Sequence, residues 1–160
     1  MGSGEVVGIY IAPKKGMQLS PVGSATAVAG RGIEGDRYFD SPPPKDRPDE
    51  GGRQVTMIES EAFEFAKSAK GISLEHCDGR RNIVTRGIAL NDLVGREIRV
   101  GAVRLKVVRL CHPCGYLEKL TKPGVRAALE MRGGLRCEVI EGGVIHPGDR
   151  VEAATEGAGA

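Results

Sequence analysis

The chain has no tryptophan, and only three tyrosines and three phenylalanines among its 160 residues. That scarcity removes the aromatic platforms on which single-stranded nucleic acid stacks. It also leaves the core to valine, isoleucine, leucine and alanine. No apolar run in the sequence approaches the roughly 18 consecutive residues that a membrane-spanning helix needs. The opening residues Met1-Gly2-Ser3-Gly4-Glu5 carry neither the basic region nor the apolar stretch of a secretory leader. The expected location is therefore the cytoplasm. A charge of one sign is lacking too: 23 basic and 21 acidic residues leave +2, so the overall balance points to no polyanionic partner. Neither nucleic acid nor a membrane is expected as a partner.

A second short-spaced ligand pair is also missing. Four cysteines are present, and Cys111 and Cys114 make one such pair, but Cys77, Cys137, His76 and His146 stand apart. A structural zinc site needs four ligands, commonly as two pairs, so zinc is disfavoured. A thioredoxin-like reading of Cys-x-x-Cys is weakened because no βαβ unit precedes it. In a reducing compartment the four cysteines read as thiols and not as a disulfide framework.

What is present alternates with period two. Residues 6–12 and 22–29 read as strands, as do 53–58 and 80–85. Around Gly101-Ala102, Ile98 and Val100 alternate with charges on one side, and Val103, Leu105 and Val107 on the other. This predicts a β-hairpin with a Gly-first type II′ turn. Residues 60–70 predict a helix, with Ser60 as cap, Glu61 and Glu64 near its start, Lys67 and Lys70 near its end, and Gly71 as stop. A second short helix is predicted over 123–131, and further strands over 135–140 and 144–151. Residues 40–52, with Pro42, Pro43, Pro44 and Pro48 among charges, predict a mobile loop or flap. Residues 153–160 predict a disordered tail. About eight strands against two helices exclude regular βαβ alternation and predict a mainly β fold with accessory helices, barrel-like, in one domain over 5–152.

Candidate chemistry centres on Cys111-His112-Pro113-Cys114, just past the end of a strand. Cysteine reacts as its thiolate, which nearby positive charge favours, and Arg109 and His112 are close in sequence. The pattern suits a nucleophile, a sulfur acceptor or a soft-metal ligand, and spacing alone leaves a buried packing pair as an equal reading. Arg80, Arg81 and Asn82 break strand alternation, and guanidinium forks match phosphate and carboxylate. Arg96, Arg99, Arg104 and Lys106 instead read as the wet face of the hairpin. Asp36 and Arg37 follow Gly35 in what reads as a turn.

In order and spacing, several segments together resemble the MOSC domain, the C-terminal domain of molybdenum cofactor sulfurases. They are Gly32-Ile33-Glu34-Gly35-Asp36-Arg37, Arg53-Gln54-Val55-Thr56-Met57-Ile58, Arg81-Asn82-Ile83-Val84-Thr85-Arg86-Gly87, Gly95-Arg96-Glu97-Ile98-Arg99-Val100-Gly101 and the Cys111–Cys114 segment. The resemblance implies a β-barrel-like fold with Cys114 at the position of the family cysteine. It implies a sulfur carrier working through a cysteine persulfide, or a protein binding the molybdenum cofactor (molybdopterin) with Cys114 as the metal ligand. Some relatives of that second kind reduce N-hydroxylated compounds. Arg80, Arg81 and Asn82 fall where the family places residues near the pterin phosphate, and Asp36 and Arg37 match an early signature. Cys111 would resolve a persulfide on Cys114 or only pack. A cysteine desulfurase or another sulfur donor is the implied partner, since sulfurases carry a pyridoxal-phosphate desulfurase domain beside this one. The alternative is a non-catalytic module that binds an anion through its basic 80–109 stretch.

Overall fold

The computed structural model describes residues 2–41 and 53–154. The chain runs β1 (Ser3–Ile11), β2 (Ser20–Val22), β3 (Ala25–Val28), β4 (Gly32–Ile33), β5 (Val55–Glu59) and α1 (Ser60–Lys70). It continues through β6 (Ile83–Arg86), β7 (Glu97–Val100), β8 (Val103–Leu110), α2 (Gly115–Leu120), α3 (Val125–Ala128), β9 (Leu135–Glu141), β10 (Gly143–Ile145) and β11 (Arg150–Ala153). Two 3-10 turns, His76–Gly79 and Leu90–Leu93, complete it.

Seven strands close a barrel in the order β11-β7-β8-β9-β5-β6-β1, and β1 returns to β11 with Gly4 opposite Val151. All neighbours are antiparallel except β5 and β6, which run parallel with Ile58 opposite Val84. A parallel pair needs a crossover, and α1 is part of it. The mainly β, barrel-like expectation holds. β2 extends β1, and β10-β3-β4 form a separate three-stranded sheet.

Period-two alternation explains which strands read as amphipathic and which as solidly apolar. On β8, Val103, Leu105 and Val107 are buried in the barrel while Arg104 and Lys106 face outward. On β5 and β6 both faces are covered. Met57 and Ile83 fill the barrel, whereas Ile58 and Val84 pack outside it with Phe63, Ala66, Leu117 and Leu129 of the helical layer. Strands buried on two sides lose the polar half of the pattern. Each such side chain stabilises by about 1.5–3 kcal/mol, so Val84→Asp would detach the helical layer.

The hairpin expectation is met: β7 and β8 turn at Gly101, whose φ of 59° suits glycine at the first turn position. α1 spans the predicted residues and ends at Gly71 in the left-handed region, φ 68°. Its N-cap is Glu59 and not Ser60, which lies buried in the first turn. The strand expected over 22–29 is interrupted, with β2 and β3 belonging to different sheets. The helix expected over 123–131 contracts to α3, and α2 was not foreseen; only Leu117 of its six residues is buried, too little for a periodic signal. The sheet also reaches past the expected domain limits. Ser3 already pairs with Glu152, Ala153 ends β11, and the buried Ala154 donates its N–H to the Glu97 carbonyl at 2.9 Å. Residues 42–52 of the expected loop and 155–160 of the expected tail lie outside the described residues. Among the described residues, no helix is long and apolar enough to cross a membrane.

Candidate functional site

Strand direction gathers the candidate residues at one end of the barrel. Antiparallel β1 and β6 place the end of the first beside the start of the second, as the Tyr10 N–H donating to the Asn82 carbonyl at 2.7 Å shows. The end of β8 meets the start of β9 in the same way, with Leu110 opposite Leu135. The loops after β1 and β8, the approach to β6 and the start of β9 therefore converge. There they line a cavity of about 210 Å³.

Cys114 is exposed and forms part of that lining, together with His112, Tyr38, Tyr116 and Leu117. Five cationic side chains complete the wall: Lys15, Arg37, Arg80, Arg81 and Arg136. Among the described residues no carboxylate lines it. The basic stretch over 80–109, the anion-binding surface of the alternative reading, thus divides. Arg80 and Arg81 enter the cavity, whereas Arg104 pairs with Glu97 (Nε to Oε1, 2.6 Å) and Lys106 bonds the Gly95 carbonyl at 2.7 Å.

Three of the four guanidinium groups are held by distinct contacts. Arg37 donates through Nη1 to Asp36 at 3.0 Å and through Nη2 to the Arg80 carbonyl at 3.0 Å. Asp36 does not reach the cavity. It is a buried clamp that accepts the N–H of Ala12 and of Tyr38, each at 3.2 Å, and so ties the turn after β4 to the end of β1. Arg80 has φ 58°, an uncommon left-handed conformation for a residue with a side chain. From that turn its Nη1 donates to the Met17 carbonyl at 2.8 Å. Burial first, and the Arg37 charge second, push the Arg80 guanidinium down from its ordinary value. Arg81 donates through Nε to the Gly133 carbonyl at 2.8 Å and through Nη2 to the Cys111 carbonyl at 3.4 Å, bracing the cysteine segment.

Asn82 is fully buried and does not line the cavity. Its Oδ1 accepts the Thr56 N–H at 3.1 Å and hydroxyl at 3.2 Å, and its Nδ2 donates to the Tyr10 carbonyl at 3.1 Å. It locks β5, β6 and β1 together at the cavity end. Cys111 is also buried and outside the lining, next to Cys137, whose thiol burial pushes far up from its ordinary value. Of the two cysteines in the segment, Cys114 is the one presented to the cavity.

Sequence reasoning passed over Arg136 and Lys15. On β9, Leu135 and Cys137 point into the barrel, so Arg136 between them leaves on the outer face. Its Nε and Nη1 are sealed from solvent with no hydrogen-bond acceptor among the described residues. Alternation alone marks such a residue as a wet strand position; only the β8–β9 register puts it beside the cysteine segment. Gly133, just before it, is pressed against that segment, where a Cβ would collide with the Cys111 carbonyl oxygen and the Pro113 ring. Among the described residues no three His, Cys, Asp or Glu side chains cluster as a ready-made metal cage.

The fold is similar to that of solved bacterial proteins. The YuaD protein from Bacillus subtilis superposes with a TM-score of 0.80 at 19% identity, covering 95% of this chain and 96% of that one. YiiM from Geobacillus stearothermophilus gives 0.71 at 17% identity over 99% and 78% of the two chains. YiiM from Escherichia coli gives 0.62 at 18% identity over 95% and 70%. At these identities the likeness is one of fold. No curated protein matches the chain by sequence. The model of the MOSC domain matches residues 43–152, more than half of the chain, and with the barrel it assigns this protein to the MOSC family, related to the molybdenum cofactor sulfurases.

Proposed function

We propose that this protein is a sulfur carrier in which Cys114 holds a transferable sulfur atom as a persulfide. The observation that carries the reading is the joint presence, in one cavity, of an exposed thiol and five cationic side chains with no carboxylate among the described residues. A persulfide is anionic, and a wall of cations complements its charge. The strand β8 and the braces from Arg81 fix the base of the segment, while its tip stays open to a partner. All four cysteines are free, which suits a reducing compartment such as the cytosol. A cysteine desulfurase is one donor that could load such a site.

A second reading, molybdenum cofactor binding, is favoured by Arg136. Arg136 lines the cavity, and its charge meets no carboxylate among the described residues, which leaves it to an anion bound there. Arg80, Arg81, Arg37 and Arg136 fit a phosphate-bearing end, and Cys114 would supply a thiolate ligand. When bound, the cofactor would supply two-electron redox chemistry at molybdenum, as in reduction of N-hydroxylated compounds. Asn82 would act only by holding the strands that carry these arginines. A non-catalytic anion-binding module accounts for the cations but gives no role to the thiol among them.

Persulfide labelling of the protein, with metal and pterin analysis after expression in a molybdopterin-producing host, tests both readings. Cys114→Ser is expected to abolish the label or the bound molybdenum, and Cys137→Ser to retain it. Equal loss in the two variants would refute the assignment to Cys114. A protein with no metal, no pterin and no persulfide reactivity would favour the anion-binding module.

A further inference from the structure

The cavity carries more positive charge than a one-sulfur carrier requires. A persulfide bears a single negative charge, yet among the described residues only one of the five cations is offset, Arg37 by Asp36. Carbonyl contacts on Arg80 and Arg81 satisfy donors without neutralising charge. Among the described residues Arg136 lacks even those on Nε and Nη1. The surplus calls for a ligand with its own concentrated negative charge, placed beside Cys114. The open cleft of about 210 Å³ readily admits a compact anion alongside the thiol. The ligand that meets both demands is a small tetrahedral oxyanion, and for a thiol carrier the relevant one bears a sulfur atom that can be transferred.

We infer that the cavity takes thiosulfate, or a related thiosulfonate, as a sulfur donor, with the arginines on the sulfonate oxygens and Cys114 on the outer sulfur. The inference rests on the carrier reading and adds the substrate class and a sulfurtransferase half-reaction. The Cys114 thiolate attacks the outer sulfur, and a bond forms between Sγ and that sulfur. The bond from the outer sulfur to the sulfonate sulfur breaks, and its electron pair departs with sulfite. Cys114 is thereby oxidised to the persulfide, the sulfonate sulfur is reduced to sulfite, and the thiol proton goes to solvent. No other oxidant or reductant enters. Charge accumulates on the leaving sulfite, where preorganised guanidinium groups stabilise it most.

The test mixes reduced protein with thiosulfate labelled in its outer sulfur and, in parallel, with inorganic polysulfide. Peptide mass spectrometry counts sulfur on Cys114, and released sulfite is assayed. Wild type is expected to gain one labelled sulfur on Cys114 and release one sulfite per chain. Arg136→Gln should raise the thiosulfate concentration for half-maximal rate by about 10- to 100-fold, as loss of charge-assisted hydrogen bonds implies. Arg136→Lys should recover part of that loss, with circular dichroism showing that both variants are folded. Sulfuration by polysulfide but not by thiosulfate overturns the inference and leaves the carrier reading standing. Competition by inorganic phosphate without sulfuration from thiosulfate also overturns it, marking a phosphate site only. No sulfuration from either donor removes the carrier reading as well. Sulfite release by Cys114→Ser, or a folded Arg136→Gln with unchanged kinetics, refutes the assigned roles.

Discussion

Gly133→Ala should loosen the cysteine segment and lower stability together. A methyl group there would overlap the Cys111 carbonyl oxygen and approach the Pro113 ring at 2.7 Å and its nitrogen at 3.0 Å. None of these is the far end of a flexible side chain, so relief requires the backbone at 133 or at 111–113 to move. Overpacking of this kind costs typically about 1–3 kcal/mol. The same movement disturbs Arg81, whose Nε bonds the Gly133 carbonyl and whose Nη2 bonds the Cys111 carbonyl. Hydrogen bonds to a charged group are worth about 1.5–3 kcal/mol, so partial loss brings the expected total to about 2–5 kcal/mol. For a chain of this length that corresponds to a fall in Tm of roughly 5–20 °C. Gly23→Ala is the control, since its added Cβ would meet nothing within 4 Å and its backbone is not left-handed. It should stay within about 0.5 kcal/mol of wild type. Thermal and urea unfolding give the stability, and native-state alkylation of Cys114 read by mass spectrometry reports the segment. Cys137, fully buried, should label only on unfolding. If Gly133→Ala melts with wild type and alkylates at the same rate, the close approach of the two backbone segments is not a constraint, and the bracing described for the site is wrong.

Asn82→Ala should cost about 2–4 kcal/mol in urea unfolding, because the Thr56 N–H and the Tyr10 carbonyl lose their partner inside the protein; a fully stable variant that lost only anion affinity would make Asn82 a ligand and not a strand lock. Glu59→Gln tests a pH effect. Burial, partly offset by the Leu90 N–H, raises the Glu59 carboxyl, so the folded state holds its proton more tightly than the unfolded state does. The stability this contributes is present below the unfolded value and is lost as pH rises through the folded one. Urea midpoints should therefore show Glu59→Gln more favourable relative to wild type at pH 7 than at pH 4, and an advantage that does not change with pH would contradict the reasoning.

The sequence made the hairpin legible because one face of β7 and β8 is wet, so Ile98, Val100, Val103, Leu105 and Val107 stand out against charges. α1 was legible from its charge polarity and Gly71. Ser60 misled because a hydroxyl at a helix start resembles a cap whether it sits outside the first turn or within it. Local pattern also carried Cys114 to the end of a strand. It could not carry Arg136 there, because the link is a pairing between β8 and β9 and not a spacing along the chain. Arg80 and Arg81 were singled out because they broke the alternation, and both line the cavity. Asn82 broke it as well but is spent inside the core. A departure from period two marks a special position without telling which side of the wall it serves.

The closure of the barrel between β1 and β11 has consequences for a nascent chain. Residues 3–5 must wait for residues 150–152, so the seam cannot shut until residue 152 has left the ribosome. Contacts so distant in sequence form slowly. Until then the far edge of β1 and the open edge of β7 present unpaired backbone that another chain can capture. Overexpression would accordingly favour aggregates seeded at these two edges, and a tethered copy of the β11 segment should suppress them.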